Sequence, residues 1–228
     1  MLGQIVFSTR DGGWPRPERK ELCGLPVVQV AVEPDGVLGR ARLRRAGKLL
    51  AGAGVRRVLV PEGFDRWDLL RRRGLVPVDP VPFLQAHADA LAVAALRKNG
   101  RIPERERVAV RAVKADRGVI LTAEALCQQV REVCISVDQG GEALKRSLRW
   151  EYGMAAHPDG GDVAAAVRFA PETLEVGGAV LALFQPAMDT AGVQIALPGA
   201  KMGEMEHFPL LAALWEGGKV QKRDLEFT

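Results

Sequence analysis

Asp138-Gln139-Gly140-Gly141-Glu142 is the stretch whose residue types and spacing could do chemistry. The apolar run Glu132–Val137 ends there and a helical pattern, Glu142–Tyr152, begins. A Gly-Gly turn between a strand and a helix turns backbone N–H groups toward solvent at a helix N-terminus. Asp138, Gln139 and Glu142 add oxygens that accept hydrogen bonds from hydroxyls or hold a hard cation. Two carboxylates repel a bare phosphate, so the expected ligand is small and polar. A plain tight turn, with Glu142 in the first turn of a helix for its dipole, is the competing reading.

Asp116-Arg117-Gly118 and Thr122 follow the preceding strand pattern, Val108–Val113. If the two strands are neighbours in a parallel sheet, their carboxyl ends share an edge, where open α/β sheets bind ligands. The candidate ligand-binding residues are therefore Asp116, Thr122, Asp138, Gln139, Gly140, Gly141 and Glu142. Thr122 is read as the N-cap of a helix over 122–130. No residue is assigned a catalytic role, and no cofactor is specified.

Other chemistries find little support. The strand Leu25–Val32 leads into EPDGVLGRAR, which lacks the GxGxxG spacing of a dinucleotide site, and no phosphate-binding GxxxxGK loop occurs. His87, His157 and His207 have no HxxxH or HExxH spacing and no cysteine partner, so no metal site is expected. Ser136 and Ser147 lack a GxSxG setting. Cys23, Cys127 and Cys134 form no CxxC pair, which fits a reducing compartment, and Cys127 in a helix pattern and Cys134 inside a strand read as buried small hydrophobes. The loop His157-Pro158-Asp159-Gly160-Gly161 reads as a surface loop above the same edge, and 201–207 as a solvated loop with Met anchors.

The elements that must position the candidate site alternate between strand and helix. Strands are expected at Leu25–Val32, Val55–Val60 and Val76–Val78, and again at Val108–Val113 and Glu132–Val137. Helices fall at 39–53 and 65–73, then at 122–130 and 142–152, with a shorter one over Val163–Phe169 capped by Asp162. Phe83–Lys98, Ala- and Leu-rich without interior Gly or Pro, reads as one long crossover helix. This predicts a doubly wound, Rossmann-like, mostly parallel α/β sheet over 25–170, built from two βαβαβ halves, 25–79 and 106–170, joined by the helix 83–98. Residues 1–24 are expected to form an arm or hairpin, and 171–228 a β-rich extension on the same domain with a last helix at Phe208–Trp215.

Length and composition limit the function classes. The chain has 228 residues, 47% hydrophobic and 26% charged, as ordinary globular domains do. No apolar run reaches the ~18 residues of a membrane span, and Arg10 and Asp11 interrupt the start before a signal core develops, so a cytoplasmic protein without a membrane partner is expected. The net charge of +4 hides an asymmetry: residues 1–116 carry 22 Lys and Arg against 13 Asp and Glu, residues 117–228 carry 10 against 15. Three readings follow. The first is a small polar ligand at the strand carboxyl ends; the second, a non-catalytic scaffold pairing its two halves as a homodimer. The third, nucleic-acid binding through Arg40–Lys48 and Arg71–Arg73, is disfavoured because aromatic residues for base stacking make up only 5% of the chain.

Overall fold

The computed structural model describes residues 1–8, 14–34, 38–154, 162–171, 177–200 and 205–228. Expected features at 9–13, 35–37, 155–161, 172–176 and 201–204, among them the His157–Gly161 loop, lie outside the described residues. The protein is a mixed α/β chain with two parallel sheets, and it divides into two compact units: 1–80 with 199–221, and 81–198 with 222–228. The two βα runs therefore do not join into one sheet over 25–170. Each run buries its own apolar strands, and strand patterns carry no information on whether two such runs pair with each other.

The first unit contains β1 (Leu2–Phe7), β2 (Pro17–Leu22), β3 (Leu25–Val32), α1 (Gly39–Gly52), β4 (Arg57–Leu59), α2 (Trp67–Arg71) and β5 (Val76–Pro77). Its sheet order is β2-β3-β1-β4-β5, parallel except for the antiparallel β2. The N-terminal segment is thus no arm, because β1 is the central strand and Ile5 is wholly buried. Two residues disguise it. Gly3 leaves no room for a side chain, since a Cβ there would sit 2.8 Å from Val55 Cγ1. Gln4 is buried, yet its Oε1 accepts a 3.0 Å hydrogen bond from Gln29 Nε2, its register partner on β3.

β2, PERKEL, is exposed and charged, as an edge strand should be, and Pro17 stands at its first residue. It returns into β3 through Cys23-Gly24, both at positive φ, the two-residue hairpin turn that matches strand twist. Cys23 is exposed there. Leu43, Ala46 and Leu50 of α1 pack with Val28, Val30 and Val58 in one apolar cluster. The later segment 205–221 returns to this unit. Met205 bridges Pro61, Glu206 N–H donates to the Val60 carbonyl, and Glu216 pairs with Arg57.

The second unit opens with α3 (Val81–Ala86) and α4 (Ala88–Lys98), two helices where one was expected. The break is His87, whose ring Nδ1–H donates to the Phe83 carbonyl at 2.7 Å. β6 (Arg107–Lys114), α5 (Arg117–Cys127), β7 (Glu132–Gln139), α6 (Gly141–Tyr152), β8 (Ala165–Arg168) and β9 (Ala179–Ala182) follow. The sheet order β7-β6-β8-β9 is parallel throughout, with α4 against β8 and β9 and α5 against β6 and β7. The run 163–169, expected as a helix, is strand β8. Every residue from Val163 to Val167 is buried, and a short apolar run covered on both faces has no period to separate helix from strand.

The C-terminal region is not one β-rich extension. β9 completes the second sheet, β10 (Ile195–Ala196) pairs antiparallel with β11 (Glu226–Phe227), and α7 (His207–Glu216) belongs to the first unit. Among the described residues no helix is long and apolar enough to cross a membrane.

Candidate functional site

Strands β6 and β7 run side by side, so the loops that leave their carboxyl ends are neighbours. Ala115 N–H donates to the Gln139 carbonyl at 2.8 Å, and a Cβ on Gly140 would lie 3.1 Å from Ala115 Cβ. Asp116 begins α5 as its N-cap: extended itself, it accepts the Val119 N–H at 3.0 Å. Thr122 is therefore not a cap. It lies in the middle of α5 and is 4% exposed, buried with Val119, Ala123 and Leu126. The helix starts before Thr122 because Asp116 already satisfies the first free N–H groups.

Gly140 adopts a left-handed conformation, φ 84°, and α6 starts directly after it without a side-chain cap. Gly141 is buried; Gln139 and Glu142 face solvent. Lys145 donates to Glu142 at 2.8 Å and holds its carboxyl below the usual carboxylate range, which commits Glu142 to its own helix. Of the expected residues, Asp138 stands against a cleft. Arg111, Ala112 and Val113 of β6, Ser136 and Asp138 of β7, and Ala170 and Pro171 beyond β8 enclose about 60 Å³.

The face of the sheet that carries this cleft is unusual in its polar content. Side chains alternate along a strand, so Arg107, Ala109 and Arg111 share one face with Glu132, Cys134, Ser136 and Asp138. At the amino end Arg107 grips Glu132 with its Nε at 3.1 Å and a terminal nitrogen at 3.2 Å, and the same guanidinium lies 3.7 Å from Cys134 Sγ. Ala109, Cys134 and Ala166 form a small apolar band in the middle. At the carboxyl end Arg111, only 1% exposed, is flanked in register by Ser136 on one side and Arg168 on the other.

Arg111, Ser136 and Arg168 were not among the residues expected at the site. The signal for Arg111 was an arginine inside the strand VAVRAVK, because a charge within a doubly covered strand is seldom there for packing. Arg168 was hidden by the assignment of its segment to a helix.

Comparison with known proteins places the chain near nothing that decides its chemistry. No family model matches the sequence, and no curated protein matches it. One similar solved structure is an L-tryptophan dehydrogenase from Nostoc punctiforme, at 16% identity and a TM-score of 0.32. The match covers 65% of this chain and 45% of that one, so the chain spans less than half the length of that protein.

A larger cleft, about 440 Å³, lies in the first unit between Ser8, Trp14, Pro15, Arg16, Glu18, Ala31 and Glu33. Its carboxylates are engaged by neighbours, Glu33 with Arg42 and Glu18 with Lys20 at 3.1 Å. Arg45 covers the Trp14 ring at 5.4 Å. Among the described residues no group of three His, Cys, Asp or Glu side chains is arranged to hold a metal ion. Burial pushes the Cys127 thiol up to about 11, a poor setting for a nucleophile, and Cys134 is buried.

Proposed function

We propose that the protein binds a small polar ligand at the carboxyl edge of its second sheet, where the loops after β6 and β7 meet. The observation that supports this reading is the cleft bordered by Arg111, Ser136 and Asp138. Polar groups converge there on a recess at the end of neighbouring parallel strands, the position at which open α/β sheets take ligands. Asp138 lines the cleft, and Asp116 fixes the start of α5 beside the Gly140 turn that follows β7. Glu142 and Gln139 face solvent outside the cleft lining, and Thr122 is buried. No reaction is assigned.

The test is a metabolite screen by thermal shift on the full chain, repeated with Ser136→Ala and Asp138→Asn. A ligand of this cleft loses its stabilising effect in at least one of the two variants. A shift that survives both changes places the binding site elsewhere.

A further inference from the structure

We infer that the solvent face of α1, with Arg73 and the Trp14 ring beside it, is a surface for single-stranded nucleic acid. It lies in the first unit and is independent of the cleft in the second sheet. Between Asp35 and Glu62 the chain carries seven Lys and Arg and no acidic residue. Helix α1 sorts these charges. Arg40, Arg44 and Lys48 recur at every fourth position and form one exposed row, with the exposed Arg45 one turn from Lys48. Arg73, in the turn that closes α2, joins the row: its Cγ lies 3.6 Å from where a Cβ on Gly47 would stand, and Gly47 is three residues from Arg44.

The row works against the helix that carries it. Arg40 with Arg44, and Arg44 with Lys48, are like charges four residues apart, which destabilise a helix. Arg40 also stands in the first turn, where the dipole disfavours a cation. Acidic side chains of the unit engage other arginines, Glu33 with Arg42 and Glu216 with Arg57. Among the described residues Arg40, Arg44, Lys48 and Arg73 make no ion pair. From Arg40 to Lys48 the charges extend over ~12 Å of helix axis and converge on no single point. That spread suits a polyanion with repeating charge and not a small anion.

Trp14 selects the polyanion. Its ring is 58% exposed, and the Arg45 guanidinium lies 5.4 Å from the ring centroid. An indole beside a guanidinium is a stacking platform for an unpaired base. The cleft of about 440 Å³ has Trp14 in its wall, which gives such a base room at the ring. A lipid surface or an acidic peptide presents charge without a flat ring to stack, whereas single-stranded nucleic acid presents both. Aromatic residues are few in this chain, yet the fold sets this one against the basic row, a placement that local spacing does not show.

Fluorescence anisotropy of the full chain with a labelled oligothymidylate at low salt tests the inference. The single strand should bind, and log affinity should fall against log salt with a slope of about −2 if three phosphates are neutralised. Arg40→Gln, Arg44→Gln and Lys48→Gln combined should weaken binding about tenfold or more and flatten that slope. The same variant should keep or raise the thermal unfolding midpoint, because the like-charge pairs are gone. A control with Arg97→Gln, Arg105→Gln and Arg131→Gln removes equal charge from exposed positions of the second unit and should leave binding near that of the unaltered chain. Trp14→Ala should weaken the single strand about fivefold or more and leave binding of the same oligomer paired with its complement unchanged.

No anisotropy change at low salt overturns the inference. An equal loss in the second-unit control does so too, since it reduces the effect to net charge. Duplex bound as tightly as single strand, with Trp14→Ala indifferent to both, overturns the single-strand assignment. Phosphatidylserine vesicles or polyglutamate displacing the oligomer at equal charge concentration overturn nucleic acid as the partner.

Discussion

Two residues carry consequences out of proportion to their size. Gly140 holds a left-handed conformation at the junction of β7 and α6, and a Cβ there would also meet Ala115 at 3.1 Å. An L side chain in that conformation costs roughly 1–2 kcal/mol, so Gly140→Ala should lower the urea-unfolding free energy by about that much. His87 is the second. Burial lowers its pKa below the ordinary 6.5, outweighing the hydrogen bond to Phe83; Lys222 adds to the lowering and Asp89 opposes it. As pH falls through about 6.5 the unfolded chain takes up this proton and the folded chain does not, so stability is lost between that value and the lowered folded one. The unfolding midpoint should therefore fall from pH 7.5 to pH 5.5, and His87→Gln should flatten that slope; an unchanged slope would remove His87 as its source.

At the scale of elements, helix α1 shows how packing and charge are separated on one helix. Leu43, Ala46, Gly47 and Leu50 are buried, while Arg40, Arg44, Arg45 and Lys48 face solvent. Gly47 lets α1 approach α2, since a Cβ there would sit 3.3 Å from Leu70 Cδ2 and 3.6 Å from Arg73 Cγ. Gly47→Ala should be nearly neutral in thermal unfolding, because a gain of about 1 kcal/mol in helix propensity offsets the displacement of one flexible methyl. Gly47→Leu adds methylenes with no space for them and should cost roughly 1–3 kcal/mol. A destabilising alanine together with a tolerated leucine would refute this account of the contact.

For the whole molecule, the chain crosses between its two units after Pro80, after Pro198 and after Gln221. By sequence the first unit holds 17 Lys and Arg against 12 Asp and Glu, and the second 15 against 16, so the charge bias belongs to the first unit. Residues 199–228 supply parts of both. α7 buries Leu210, Leu211 and Leu214, and Lys222 pairs with Asp89, whose carboxylate also accepts from Gln129 at 3.2 Å. Losing three buried leucines costs roughly 2–5 kcal/mol each, and leaving a buried carboxylate without its cation about 1–3 kcal/mol more. That sum matches or exceeds the roughly 5–15 kcal/mol of a whole domain. A chain ending at Pro198 should therefore show no cooperative urea transition; a retained, unshifted one would show that these contacts are dispensable.

The amino-acid sequence by itself determined the elements that depend on local pattern. The strands Leu25–Val32 and Glu132–Val137, the amphipathic helices α1 and α6 and the glycine turn at 140–141 follow from periodicity and turn residues. Only the tertiary structure decided which strands pair. Gln4 looks out of place in a core until Gln29 lies opposite, and 163–169 reads as a helix until β6 and β9 flank it. The same holds for the site. The place of Asp138 at a strand end was legible because a glycine turn follows it. The Arg111, Ser136 and Arg168 row exists only through register, which is set by long-range burial on both faces of the sheet and leaves no trace in local spacing.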